Sequence, residues 1–261
     1  MNLTFDLAFV ETLMLAGVRL VAFLMIAPPF NVKQFPGSVK AAIGIGIALA
    51  AMPRVTAAAD TVPGALLVQE TPGALVGALV LQAFIGLALG FMVKLVFAAV
   101  ETAGSLIDVM GGFQMASAYD PVSGSQSSVF GKFYSMTALA LLFASDAHQL
   151  MIAGMVRTFD VLPIGVAPSL SVMAELMTDG LAQLMVAALQ IAGPLVVVLF
   201  LADVGLGLLT RVAPALNAFA LGFPLKILLT LTLGSIAFLA LPQIISSLTD
   251  DAVSMILGGT S

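Results

Sequence analysis

The chain has 261 residues, of which 61% are hydrophobic and only 9% are charged. A soluble domain usually has about 45–50% apolar and about 25% charged residues, so too few polar side chains are present here to cover a soluble surface. The net charge of −5 argues against nucleic acid as a partner, and the absence of cysteine excludes disulfides and thiolate metal sites. Lipid, detergent or a large apolar assembly must therefore surround the chain.

The first half of the chain is predicted to form three apolar helices separated by turns that contain proline. The first run, Leu13–Phe30, is closed by Pro28-Pro29, because a proline ring disrupts helix continuation. Ala41–Pro53 is the second run, and residues 54–72 form a polar connection. A long helical pattern then extends from about Gly73 to Val109.

The second half begins with the least hydrophobic stretch of the chain, Gly111–Ser128. It contains three glycines, five serines and one Asp-Pro step, a composition typical of a loop. Helix is predicted to resume over Val129–Val156, and a link containing two prolines leads to the apolar helix Gly180–Ala202. A polar joint, Arg211–Asn217, precedes the last long helix, which is predicted to end near Thr249.

Apolar runs of this length predict an all-α membrane protein with six or seven membrane-scale helices, some of them kinked or broken. Each of three charge-free stretches would be about 35 Å long as a helix, which is enough to cross a hydrocarbon core of about 30 Å. These stretches, each of 23 residues, are Thr71–Val93, Gly180–Ala202 and Ile227–Thr249.

Three charged residues lie seven positions apart towards the end of the long third helix: Lys94, Glu101 and Asp108. On a helix they share one face with a drift of about 20° per step. Either the helix leaves the bilayer and the stripe is solvated, or the stripe faces an interior seam or channel, as charged groups at membrane depth usually do. The first helix carries a similar pair, Glu11 and Arg19, for which a structural role is favoured over a proton relay.

Two further patterns concern packing. Gly73/Gly77 and Gly86/Gly90 have the spacing that lets helix backbones approach closely, so they predict tight helix contacts. Met110 and Met115 flank Phe113 at the start of the polar loop. Methionine is flexible and fills irregular space, so this group is either core filler or a deformable seal.

No catalytic centre is recognisable. His148 is the only histidine and lies near Asp146 and Gln149, but no nucleophile in a familiar setting accompanies it. The nucleophile-elbow, zincin and phosphate-loop motifs are missing, as are metal ligands at useful spacing. The sequence therefore predicts a protein that is not an enzyme and holds no cofactor or metal.

Four groups of residues, in order and with their spacing kept, carry a resemblance to a known family. They are Val18–Leu20 with Ala27–Phe30 and Pro36-Gly37; Gly112–Ala116 with Asp120–Gln126; Phe143, Asp146 and His148; and Leu209–Asn217 with Gly222–Lys226. In these residues the chain resembles FliR, the flagellar type III export-gate family, whose counterpart in virulence injectisomes is SctT. The resemblance extends from about residue 10 to residue 245.

The resemblance implies a structural and gating subunit that passes unfolded flagellar proteins across the inner membrane at the flagellar basal body. Its implied partners are homologues of FliP, FliQ and FlhB, with most helices packed in an assembly raised towards the periplasm. The family also resembles a FliP-like unit fused to a FliQ-like hairpin. On this chain residues 1–170 would be the FliP-like part, with the loop 110–126, and residues 171–261 the FliQ-like hairpin.

The resemblance also implies roles for particular residues. The loop would plug the closed gate, with Phe113 and Met115 as the main sealing residues among Met110, Gly111, Gly112, Phe113, Gln114, Met115, Asp120, Pro121 and Gly124. A second set would contact neighbouring FliQ or FlhB chains near the cytoplasmic entrance: Arg211, Pro214, Asn217, Pro224 and Lys226. The alternative function is a secondary transporter of a small solute, suggested by the broken helices and the charged stripe, although matching interrupted segments in two halves are not found.

Overall fold

The computed structural model describes residues 7–31, 35–60, 71–114, 128–213 and 218–256. Over these ranges the chain is helical and has no β-strand, which confirms the all-α prediction. The helices of the described ranges are α1 (Leu7–Ile26), α2 (Gly37–Asp60), α3 (Pro72–Gly111), α4 (Val129–Ala144), α5 (Ala147–Val161), α6 (Leu170–Val212), α7 (Ala218–Phe238) and α8 (Leu241–Ile256).

Three predicted helix boundaries are wrong. α2 continues through Pro53 to Asp60, since the alanine-rich sequence around Pro53 favours helix strongly enough to tolerate one missing hydrogen bond. The charge-free run Ile227–Thr249 is broken between α7 and α8, and Pro242 occupies the first turn of α8, where its missing N–H is not needed. The run Val129–Val156 is broken between α4 and α5 at Asp146, whose φ of 57° is a left-handed conformation that aspartate tolerates.

Within the described residues, four or five helices are of membrane scale. In the part of the chain that is described, four helices are long and apolar enough to cross a membrane, namely α1, α2, α3 and α6, and the broken pair α4–α5 could add a fifth. A shorter apolar helix, Leu221–Ser235, lies within α7, and the total of six or seven stays a prediction.

The chain divides into two compact units that interleave along the sequence. Unit 1 comprises Met1–Val96, Ser145–Gly180 and Leu248–Ser261, and unit 2 comprises Phe97–Ala144 and Leu181–Ser247. This is a division by contacts within the folded chain. The proposed boundary between a FliP-like and a FliQ-like part at residue 170 concerns ancestry, and it stays a prediction.

Unit 1 is built on the pairing of α1 with α2, and α2 also contacts α5. An exposed ion pair joins these last two helices, in which Arg54 Nη2 lies 2.6 Å from Asp160 Oδ2 and Arg54 Nε donates to both carboxylate oxygens at 3.0 Å. The largest fully buried side chains of this unit come from α1, α3 and α5: Leu15, Arg19, Leu20, Phe23, Leu24, Ile85, Met151, Met155 and Phe159.

One of the two glycine pairs makes the close helix contact that its spacing predicts. A Cβ on Gly86 would fall on the Arg19 carbonyl oxygen of α1 and within 2.9 Å of Ala22 Cβ, and a Cβ on Gly90 would lie 2.9 Å from the Phe23 carbonyl oxygen. Gly73 and Gly77, in contrast, have no atom within 4 Å of an added Cβ. The Gly86/Gly90 face of α3 therefore packs directly on the α1 backbone.

We expect Gly86→Ala to lower the free energy of unfolding by about 1–3 kcal/mol, because the methyl group displaces backbone rather than a flexible side chain. Gly77→Ala is the matched control on the same helix. It meets open space and should be neutral or slightly stabilising, because alanine favours helix by about 0.5–1 kcal/mol over glycine. Melting temperatures of the two variants in detergent test this, and equal shifts would contradict the contact.

Unit 2 contains the end of α3, α4, most of α6, α7 and the start of α8. α3 and α4 meet at two glycines, since a Cβ on Gly104 would lie 2.6 Å from the Cα of Gly131. Tyr134 and Leu142 of α4 are buried, as is Leu199 of α6. The connection from α3 to α4 includes the polar stretch that the sequence singled out.

Candidate functional site

The polar loop starts at a defined helix terminus. Gly112 has a φ of 80°, and the Phe113 N–H donates a 3.1 Å hydrogen bond to the Asp108 carbonyl oxygen. This pattern is a Schellman motif, in which a glycine in the left-handed conformation reverses the chain and satisfies a carbonyl group of the last helical turn. Gly112 therefore fixes where α3 ends and where the loop begins.

The Asp108 side chain joins the two ends of the same loop. Its carboxylate accepts hydrogen bonds from the Ser128 hydroxyl and, at 3.1–3.2 Å, from the Phe130 N–H at the start of α4. Ser128 Oγ accepts a 2.7 Å bond from the Gly131 N–H, so Ser128 is the N-cap of α4. A fully buried carboxylate is thus placed at the helix N-terminus, where its negative charge is stabilised.

Aromatic side chains surround this junction. The ring of Phe113 lies edge-on to that of Phe130, with 5.1 Å between centroids, and a Cβ on Gly112 would lie 3.0 Å from the ring of Phe223 on α7. The Tyr134 ring is buried, and its hydroxyl finds no hydrogen-bond partner in the described structure. A cavity of about 440 Å³ opens beside the cluster, lined by Phe113, Val129, Phe130, Phe133, Tyr134, Leu231, Gly234, Ser235 and Phe238.

The predicted loop residues fall into two groups. Gly111 is buried, with the Thr230 hydroxyl 2.7 Å from where its Cβ would be, whereas Met110 and Phe113 are half-buried and Gln114 is exposed. The remaining four, Met115, Asp120, Pro121 and Gly124, lie outside the described residues. What the structure provides is the base of the loop, fixed by hydrogen bonds and aromatic contacts at both ends.

The three members of the charged stripe lie in different surroundings. Lys94 and Glu101 are exposed, while Asp108 has no accessible surface. Its hydrogen bonds to Ser128 and Phe130 give Asp108 a local structural role that seven-residue spacing alone does not indicate. A channel-facing role for the stripe stays a prediction.

At the α6–α7 joint, the structure pairs one predicted contact residue with a residue that the sequence did not single out. Lys226 Nζ on α7 lies 2.5 Å from Asp203 Oδ1 on α6. Arg211 and Pro224 are exposed, and Pro214 and Asn217 lie outside the described residues. Asp203 directly follows the charge-free stretch Gly180–Ala202, and Lys226 directly precedes the charge-free stretch Ile227–Thr249. Because each is the charged residue that borders such a stretch, the sequence could have suggested that they form a pair.

Arg19 has contacts that fit the structural role favoured for it. Its guanidinium is fully buried in unit 1, where Nε donates to Gln82 Oε1 at 2.6 Å and Nη1 donates to the Leu162 carbonyl oxygen at 2.8 Å. The charge also lies 4.3 Å from the centre of the Phe159 ring. Leu162 directly follows α5, so the cation is placed at the negative end of that helix dipole.

The region around the single histidine has a structural explanation. Asp146 separates α4 from α5 in a left-handed conformation, and its carboxylate accepts a 3.1 Å hydrogen bond from Gln149 Nε2. His148 is half-buried one residue into α5. Within the described ranges, no three His, Asp or Glu side chains lie close enough together to hold a metal ion.

The match of four ordered motifs is supported by comparison with known proteins. The sequence profile of the family described as bacterial export proteins, family 1, matches residues 10–252. The chain belongs to this family. Membership favours protein export over the solute-transporter alternative and, together with the long apolar helices, indicates a protein of the bacterial inner membrane.

Relatives in this export family carry flagellar and secretion names. The flagellar biosynthetic protein FliR of Escherichia coli (strain K12) is 33% identical over 242 residues, which cover 92% of this chain and 87% of that protein. FliR of Pectobacterium carotovorum subsp. carotovorum is 33% identical over 219 residues, covering 83% and 78%. The Yop proteins translocation protein T of Yersinia pestis is 31% identical over 147 residues, or 56% of each chain. The chain is thus a FliR-type component of a type III export apparatus.

Proposed function

We propose that the chain is a structural and gating subunit of a flagellar type III export gate, which passes unfolded flagellar proteins across the inner membrane. It would act in complex with homologues of FliP and FliQ, with FlhB bound at the cytoplasmic side. The observation that carries this proposal is membership of the export family over residues 10–252. The flagellar assignment rests on the FliR proteins of Escherichia coli and Pectobacterium carotovorum, which match more of the chain than the Yersinia relative does.

The apolar surface of unit 2 supports a role within an assembly. The part of α6 in this unit, Leu181–Val212, is about 48 Å long at 1.5 Å per residue, whereas a hydrocarbon core is about 30 Å thick. Apolar side chains that are more than half exposed recur along this whole part: Met185, Leu189, Val197, Leu201, Leu208 and Val212. Lipid can cover only part of that length, so neighbouring apolar subunits are expected to cover the rest.

The base of the polar loop supports the plug assignment for residues 110–126. A plug must seal the closed gate and stay attached to the subunit while polypeptides of varied sequence pass, so it needs fixed ends and side chains that do not select a cargo sequence. Asp108 and the Phe113–Phe130 contact provide fixed ends. The sequence between these ends is rich in glycine and serine and contains methionine, side chains that impose little specificity on a passing polypeptide.

We expect Phe113→Gly to make the closed gate leak small ions, because the substitution removes the ring that packs on Phe130 and frees the start of the loop. The measurement is the conductance of the assembled gate in planar bilayers. Leu239→Gly is the matched control, since Leu239 is a 77% exposed residue of unit 2 that also lies outside a helix. Conductance of Phe113→Gly at the wild-type value would remove the plug assignment.

A further inference from the structure

The Asp203–Lys226 pair is a charged group on a surface that is otherwise apolar. Next to it on α6 lie Phe200, Leu201 and Val204, and next to it on α7 lies Leu228, all of them exposed. Ionisable groups on such a surface are costly and usually have a partner. Asp203 and Lys226 are partners of each other within the chain, which meets part of this need for a partner.

The outward half of the pair is the carboxylate. The Lys226 side chain is 17% exposed, whereas that of Asp203 is 44% exposed. Asp203 Oδ1 receives the lysine, and the carboxylate is the more exposed member of the pair. The surface therefore presents a negatively charged oxygen to whatever covers this part of α6.

Two glycines beside Asp203 provide an independent observation. Gly205 and Gly207 lie inside α6, and no atom lies within 4 Å of a Cβ built on either. Glycine in a helix interior costs about 0.5–1 kcal/mol relative to alanine, and no contact with the described residues requires it here. Gly207 follows Asp203 by four positions, so both lie on the same helix face. Small residues on an apolar helix allow the backbone of another helix to approach closely.

We propose that the Asp203–Gly207 face of α6 receives a helix of a neighbouring, different subunit of the export gate, and that this helix carries a lysine or arginine facing Asp203. The inference rests on the proposed function and deepens it by specifying the partner's chemistry. A basic side chain complements the exposed Asp203 carboxylate, and a helix backbone can occupy the open space beside Gly207. A second copy packed through the same face would oppose two Asp203 carboxylates, which repel each other.

Two variants distinguish binding of a neighbouring subunit from an ion pair that only stabilises this chain. The exchange Asp203→Lys with Lys226→Asp keeps an ion pair within the chain but reverses the charge that faces outward. Gly207→Leu fills open space, so it should leave the chain at least as stable as the wild type while blocking close approach. Asp250→Asn, on the polar exposed side of α8, is the control.

The experiment co-expresses the tagged full chain with its FliP, FliQ and FlhB homologues and measures, after detergent extraction, chain abundance and recovered partner subunits. We expect wild-type chain abundance but at least about tenfold weaker partner recovery for the exchange and for Gly207→Leu, and no change for Asp250→Asn. If the exchange recovers partners like the wild type, the pair is internal and the proposal is wrong. The proposal would also be wrong if the variants lost only bound phospholipid, or only a second tagged copy of the chain, and kept the partner subunits. If even the wild type recovers no partner, the failure belongs to the proposed function.

Discussion

Asp108→Ala is expected to be among the most damaging single substitutions in unit 2. The carboxylate receives the Ser128 hydroxyl and the Phe130 N–H, and it is fully buried. Its removal leaves a helix N-terminus without its charged partner, so we expect the free energy of unfolding to fall by about 2–4 kcal/mol. Unfolding in detergent, followed by circular dichroism, measures this loss.

Two controls distinguish this explanation from a functional stripe. Asp108→Asn keeps an oxygen for the Phe130 N–H, so it should lose less stability than Asp108→Ala. Glu101→Gln changes an exposed member of the stripe and should stay within about 0.5 kcal/mol of the wild type. If Glu101→Gln and Asp108→Ala were equally damaging, the helix-terminus explanation would be wrong and a shared role of the stripe would be favoured.

Arg19→Ala is expected to have a comparable or larger effect in unit 1. The substitution removes a fully buried side chain and leaves the Gln82 side-chain oxygen and the Leu162 carbonyl oxygen without their donor. Cavity formation and unpaired buried acceptors together should lower the free energy of unfolding by about 3–5 kcal/mol. Arg19→Lys should recover only part of this, because an ammonium group cannot reproduce the planar donor pair of arginine.

The matched control for this prediction is Arg157→Ala, which removes an exposed arginine of α5 and should change stability by no more than about 0.5 kcal/mol. A double-mutant cycle of Arg19→Met with Gln82→Leu tests the contact itself. We expect a coupling energy of about 1–3 kcal/mol, since either substitution alone leaves a buried polar group unpaired. Additive effects in the cycle would contradict the hydrogen bond between the two side chains.

Hydropathy and composition were sufficient for the fold class and for most of the helices, because long apolar runs can only be buried as helices in this setting. They failed where continuity is decided by single residues. Ile227–Thr249 has no charged residue to mark its division into α7 and α8, and Pro53 did not end α2 in its alanine-rich surroundings. Apolar character determines that a segment is buried, and local backbone chemistry determines where it bends.

The sequence could identify the segment of the candidate site, while its anchoring was not predictable. Glycine and serine content identified Gly111–Ser128, but the role of Asp108 depends on Ser128, 20 residues later along the chain. The partners of Arg19 are more distant still, 63 and 143 positions away. Ser128 just before the apolar run of α4 was the one local signal, since serine is a preferred helix N-cap.

The central claim is that this chain works as a subunit of an export gate together with other subunits. The most direct measurement is purification of the tagged full chain from cells that co-express FliP and FliQ homologues, followed by mass determination of the intact complex. The claim predicts one stable complex that contains this chain with both partners, and no conducting pore formed by the chain alone. A stable, functional monomer that recovers neither partner would contradict it.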